Sequence, residues 1–274
     1  KKMQIKQNIY ELGPSEHQKK SGTPTMGGIL IFIIFIIAVI LLDAWNLSVI
    51  WVLLATVLFF LIGVVDDIKS LMNKTNQGLS ARVKFIIQVM VSIILVYLLH
   101  RFIRPVNIIE SFLYVFLFTG TSNATNLTDG VDGLLSGTMV TSLLGILYVL
   151  FQMWRYEEAY ITIILIASLS IFLLFNWNPA KVFMGDSGSL MLGGYLAAIC
   201  IVIGQWWLLV GLGAVYVIET LSVISQVLSY KIRKKRLFLM TPLHHHFELM
   251  GLSEVTVVLM FIIFQAMFTL IQVL

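Results

Sequence analysis

The sequence predicts an all-α fold, a polytopic integral membrane helix bundle. Three observations lead there. Of the 274 residues, 59% are hydrophobic and 12% are charged, about half the ~25% charge of an ordinary soluble domain. Mean hydropathy is +0.95. The apolar residues also come as long runs, without the alternation that a membrane β-strand needs. Inside lipid every backbone N–H and C=O must be paired within the protein, so such runs fold as helices.

Nine runs serve as spans, in order 27–42, 47–65, 83–99, 108–122, 134–151, 159–175, 190–203, 206–230 and 255–274. A bilayer takes roughly 20 residues per helix, so the boundaries of the shorter runs are soft. The whole of 1–274 reads as one transmembrane domain without linker or repeat. The polar opening KKMQIKQN is unlike a cleavable signal. The single cysteine, Cys200, falls within an apolar run and reads as a small core residue. Trp45, Trp51, Trp154, Trp206 and Trp207 read as interface belts or core.

Nine spans place residues 1–26, 66–82, 123–133, 176–189 and 231–254 on one side. Counted with Lys84 at the near end of the third span, fifteen lysines and arginines lie there, against three on the other side: Arg101, Arg104 and Arg155. The positive-inside rule makes the rich side cytoplasmic. The net charge of +4 therefore expresses topology. The basic run 231–236 has no interleaved stacking aromatics, so it suits anionic membrane lipids and no nucleic acid. Asp66, Asp67, Asp129, Asp132, Asp186 and the triple histidine all fall on the same side. A transporter would spread ionisable groups along a path through both leaflets. Crowding at one face favours an enzyme.

Five stretches carry the polar chemistry. In VVDDIKSLMNKTNQG, Asp66 and Asp67 close the second span. Carboxylates at a helix C-terminus meet the unfavourable end of the dipole, so the pair needs a cation or a lysine such as Lys74. In NLTDGVDG, two aspartates three residues apart repel on a helix, and the glycines allow close approach of a ligand. The spacing does not make a calcium loop; an ordinary polar turn is the plainer alternative.

FNWNPAKVFMGDSGSL places Asp186 at a glycine-rich helix start. Its GDSG is no serine-protease loop, because that chemistry sits on β-rich folds. The backbone N–H groups there, with Ser187 and Ser189, favour phosphate, and Asp186 suits a hard cation such as Mg²⁺. Phe183 reads as a base-stacking ring or an interface anchor. In TPLHHHFELMG, consecutive helical histidines fan out by about 100° each and do not converge on zinc. Contacts to phosphate fit His244, His245 and His246 better. Glu219, Ser222, Gln226 and Ser229 form a polar stripe in the eighth span, where a helix–helix hydrogen bond and a functional cleft are equally open for Glu219. In the early KKSGTPTMGG, Lys20 and Thr25 read as phosphate contacts, with a snorkelling lysine as the alternative.

GTPTMGG, DD, NLTDGVDG, VFMGDSGSLMLGG and PLHHHFELMG occur in this order. Together they resemble the phospho-N-acetylmuramoyl-pentapeptide transferases of the polyprenyl-phosphate N-acetylhexosamine-1-phosphate transferase superfamily. The likeness runs from about Lys20 to the C-terminus, and the triple histidine points to the muramoyl branch. The resemblance implies ten spans, the extra one preceding Lys1. It also implies a homodimer and an Mg²⁺-dependent reaction at the inner face of the bacterial cell membrane. There UDP-N-acetylmuramoyl-pentapeptide and undecaprenyl phosphate give lipid I and UMP. A sibling donor, UDP-N-acetylglucosamine, stays open.

Carried over by position, Asp186 is the implied magnesium ligand, and Asp66 and Asp67 are catalytic carboxylates. Lys74, Asn126, Asp129, Asn176 and the three histidines are substrate-site groups. Gly130, Val131, Asp132, Phe183 and Gln226 line a uridine pocket that nucleoside antibiotics also occupy, with Lys20 and Thr25 nearby. Asp132 is then placed to accept from the uracil N–H. A phosphate monoester loses its second proton near pH 6, so Asp66 as a base has little to remove at neutral pH.

Overall fold

The computed structural model describes residues 23–42, 45–73 and 78–274. They form eleven helices: α1 (Gly27–Leu42), α2 (Leu47–Asn73), α3 (Ala81–Phe102), α4 (Ile108–Thr128), α5 (Leu134–Gln152), α6 (Tyr156–Asn176), α7 (Gly185–Val202), α8 (Leu208–Leu212), α9 (Ala214–Arg233), α10 (Leu243–Leu249) and α11 (Glu254–Val273). Six of them, α2, α3, α5, α6, α7 and α11, are long and apolar enough to cross a membrane, and α1 is a shorter apolar helix. The chain is a polytopic helical membrane protein. Its outside is greasy: Leu30, Ile33 and Ile37 on α1 and Ile86, Met90 and Ile93 on α3 are exposed, as lipid solvation permits.

Helix starts follow local rules. Ser80 caps α3 by accepting from the Val83 N–H at 3.4 Å. Asn107 and Glu110 exchange bonds of 2.9 and 3.0 Å in a capping box that opens α4. Ser253 accepts from the Thr256 N–H at 3.2 Å to open α11.

The centre of the bundle is α7. Every residue from Ser187 to Val202 is buried, including the free thiol of Cys200. Helices α1, α2 and α4 pack around it. With no hydrophobic drive between helices in lipid, close backbone contact does the holding. A Cβ at Gly28 would lie 2.1 Å from the Gly188 nitrogen, and one at Gly63 would lie 2.2 Å from the Asp186 carbonyl oxygen. The Gly63 contact seats α2 directly beside the first turn of α7. Trp51 belongs to the core, its indole donating to the Leu95 carbonyl at 2.8 Å, whereas Trp45, Trp154 and Trp207 are exposed.

Several sequence boundaries shift. Helix α2 runs to Asn73, so Asp66 and Asp67 lie two turns inside it rather than at its end. The dipole argument therefore does not apply to them, and tertiary partners give the reason for the pair. Helix α4 runs to Thr128, which places Asn126 on a helix and not in a loop. The 206–230 run breaks at Gly213 into α8 and α9. The buried amide of Gln265 on α11 bridges this break, accepting from the Val215 N–H and donating to the Gly211 carbonyl, each at 3.1 Å. Broken helices survive at membrane depth when a neighbour satisfies the freed groups. Gln265→Leu removes both bonds; a loss of about 1–3 kcal/mol is expected, read as a lower unfolding temperature in detergent.

Candidate active site

The chemistry gathers where the first turn of α7 meets α2, α3 and α4. Asp67 accepts from the backbone N–H of Asp186 at 2.9 Å and of Ser187 at 3.0 Å, one with each carboxylate oxygen. It thus caps α7 from across the bundle, and its charge suits the positive end of that helix. The anion seat expected at this helix start is therefore already filled by the chain's own carboxylate. A phosphate would have to displace Asp67 from these two N–H groups, which corrects this part of the sequence reading.

Asp186 follows in the same turn. Its Oδ1 accepts from Asn126 Nδ2 at 2.8 Å, and that amide also reaches Ser189 Oγ at 2.9 Å. Its Oδ2 is paired with the ammonium of Lys84. Lys84 also reaches Asp66 Oδ1 at 3.1 Å, while Asp66 accepts from the Leu79 N–H at 3.0 Å. Asp129 caps the end of α4, its backbone N–H donating to the Asn126 carbonyl at 3.3 Å. Burial, and then the charges of Asp186, Asp67 and Asp132, push its carboxyl well above the usual range. Asp66, Asp129 and Asp186 are thus gathered, not dispersed.

Four carboxylates, Asp66, Asp67, Asp129 and Asp186, so share one corner, and Lys84 is the cation that bridges two of them. The donor set is hard oxygen with excess negative charge, which fits a divalent cation such as Mg²⁺. Among the described residues no three His, Cys, Asp or Glu side chains form a ready metal cage. Mg²⁺ at phosphate sites is held through one or two carboxylates plus substrate oxygens and water, so the two observations agree.

The other expected residues fall around this corner. Pro24, beside Thr25, accepts from the Phe183 N–H at 2.8 Å, and the Gly27 N–H returns to the Phe183 carbonyl at 2.9 Å. Thr25 and Phe183 are thereby brought together. Lys20 and Lys74 lie outside the described residues. Asn176 is buried; its Oδ1 accepts from the Gly133 N–H at 3.1 Å and Ser136 Oγ at 2.7 Å, and its Nδ2 donates to the Val182 carbonyl at 3.0 Å. Its observed contacts clamp the starts and ends of helices. Asp132 is also buried, its Oδ2 accepting from the Ala180 N–H at 3.0 Å. Val131 is buried and Gly130 exposed.

The histidines do not act alike. His244 is fully buried against Glu219, so the expectation that all three present themselves to phosphate fails for it. His245 pairs with Glu248 at 2.8 Å, and His246 Nδ1 accepts from the Leu239 N–H at 3.2 Å. Gln226 binds the backbone of Leu237 and Phe238 at 2.8–3.1 Å and pins the loop that follows α9.

The family model for glycosyl transferase family 4 matches residues 49–204. The phospho-N-acetylmuramoyl-pentapeptide-transferase signature matches residues 20–32. A protein of that name from Bacillus licheniformis is 41% identical over 95% of this chain and 86% of its own length. Namesakes from Staphylococcus epidermidis and Staphylococcus aureus are each 43% identical, over 95% of this chain and 87% of theirs. The chain belongs to the phospho-N-acetylmuramoyl-pentapeptide-transferase family. It is a phosphosugar transferase embedded in a membrane, as the family and the apolar helices together require.

Lys84 is the member of this transferase site that sequence reasoning missed. A signal existed: it sits in the first turn after the Ser80 cap, where a cation meets the wrong end of the helix dipole. Such a lysine needs a carboxylate from elsewhere, and Asp66 and Asp186 supply it.

Proposed function

We propose that this chain transfers phospho-N-acetylmuramoyl-pentapeptide from UDP-N-acetylmuramoyl-pentapeptide to undecaprenyl phosphate, giving lipid I and UMP. The observation that carries the reading is the convergence of Asp66, Asn126, Asp129 and Asp186 with Lys84 at the capped start of α7. A lipid phosphate and a nucleotide diphosphate repel, so they react only where cations and donors are already placed. Asp186, with Asp66 or Asp129 beside it, would hold Mg²⁺. That ion, when bound, supplies charge neutralisation to the diphosphate. Lys84 and Asn126 add donors. Asp67 acts through the helix it caps, holding Asp186 in place, and Asn176 acts likewise on the turn after α4.

An oxygen of the lipid phosphate attacks the sugar-linked phosphorus, the bond to the UMP phosphate breaks, and UMP carries away the electron pair. Asp66 receives whatever proton the lipid phosphate still holds. Gly130, Val131, Asp132 and Phe183 wall the uridine pocket, which nucleoside antibiotics share, with Thr25 and Gln226 at its margins. Lys20, Lys74, His245 and His246 extend the phosphate contacts. We assign nine crossings to α1–α7, α9 and α11, with the site at the cytoplasmic face of the bacterial inner membrane and the chain paired as a homodimer.

Purified protein in detergent, given both substrates and Mg²⁺, is expected to release UMP in step with lipid I formation. Excess UDP-N-acetylglucosamine is expected not to compete. No UMP release, or turnover of the glucosamine donor in preference, overturns the reading.

A further inference from the structure

Glu219 and His244 form a buried pair to which the proposed reaction gives no task. Both side chains are fully buried. Glu219 lies on α9 and His244 on α10, so the contact joins two elements. Glu219 Oε2 accepts from the Leu243 N–H at 2.6 Å, and Oε1 accepts from the His244 N–H at 3.2 Å. The same Oε1 lies 3.1 Å from His244 Nδ1. A carboxylate there requires the proton on Nδ1, which fixes the ring's orientation and leaves Nε2 as the far atom.

That far atom is buried and has no hydrogen-bond partner among the described residues. It points at the turn between α4 and α5. A Cβ at Gly130 would lie 2.3 Å from Nε2 and 2.9 Å from Cε1. Gly130 has no left-handed backbone angle, so its contact with the imidazole, not its φ, is what an added side chain would disturb. The ring is thus a prop beneath Gly130, in the turn that carries Asp129 on one side and Asp132 on the other. The His245 ring stands at 4.2 Å from the same imidazole, edge to face.

We infer that Glu219 and His244 are positioning residues for the donor nucleotide: Glu219 fixes the His244 ring, and the ring sets the height of the Gly130–Asp132 turn. The pair touches neither reacting atom. It acts through the turn on one side and through α10, with His245, on the other. This inference rests on the proposed transferase reading with that turn as the donor's seat.

Glu219→Gln tests it with little change of shape. The amide oxygen still accepts from the Leu243 N–H, while the amide nitrogen takes the place of Oε1, gives up the weaker 3.2 Å bond from the His244 N–H, faces Nδ1 and favours the opposite tautomer. The donor KM of UDP-N-acetylmuramoyl-pentapeptide is expected to rise about 10-fold, since small misplacements at a site have large effects. The KM for undecaprenyl phosphate and kcat are expected to change less than about 3-fold. Gly130→Ala, whose methyl meets the ring, is expected to raise the donor KM similarly. Adding His244→Ala to Gly130→Ala removes the obstacle, and the donor KM is expected to fall back relative to Gly130→Ala alone. An unchanged donor KM in both single variants overturns the inference. So does an equal loss across both KM values and kcat with a lowered unfolding temperature, which marks plain fold support. Inactive wild-type protein instead sinks the transferase reading, so the two failures are distinct.

Discussion

Asp186→Asn is expected to reduce lipid I formation by about 10³-fold or more, the scale of losing a principal electrostatic or metal-holding group. The substitution keeps the shape of the side chain. An amide oxygen can still accept from Asn126 or Lys84, and the backbone N–H of residue 186 still reaches Asp67. Folding is therefore spared and charge alone is removed. Asp66→Asn is expected to lose less, about 10- to 100-fold at pH 6.5, below the upper range for general-base catalysis. The lipid phosphate has its second pKa near 6. As pH rises, the share of phosphate that still carries a proton falls, so a base has less to do and the Asp66→Asn defect should shrink. Initial rates of both variants from pH 6.5 to 8.5 decide the matter. A loss at Asp66 that is flat with pH, and as large as that at Asp186, rejects the modest-base role.

Much of this site was legible because its residues sit at odds with their surroundings. A GDSG start inside an apolar chain and a NLTDGVDG turn between two apolar runs each cost insertion energy that a structural role alone does not explain. The spans were legible for the complementary reason: lipid admits few backbone solutions. What stayed hidden depends on partners distant in sequence. Asp67 reads like Asp66 along the chain, yet its partners are N–H groups about 120 residues away. The end of the apolar run at Val65 suggests the end of a helix, but α2 continues to Asn73, and its next two residues, Asp66 and Asp67, are buried against partners distant in sequence. The break at Gly213 is invisible in hydropathy; only the Gln265 amide on another helix makes it tolerable. Glu219 stood evenly between structure and function in the sequence. Its bonds to the start of α10 explain its burial without any ligand.

Lys84→Met is expected to separate two quantities that usually move together. The ammonium lies between Asp66 and Asp186, where Mg²⁺ is proposed to bind. Two cations beside the same carboxylates repel each other, and the repulsion is strong where water is scarce. Removing the lysine charge should therefore tighten Mg²⁺: half-saturation of activity, and of Mg²⁺-dependent thermal stabilisation, should both fall to lower Mg²⁺ concentration. The rate should nonetheless drop by about 10²- to 10³-fold, the usual cost of removing one donor aimed at developing charge. Lys84→Arg keeps the charge and should restore the Mg²⁺ requirement, with part of the rate. A variant that loses rate together with Mg²⁺ affinity points the other way. Lys84 would then serve mainly to hold Asp66 and Asp186 in position for the metal, and its charge would not act on the diphosphate.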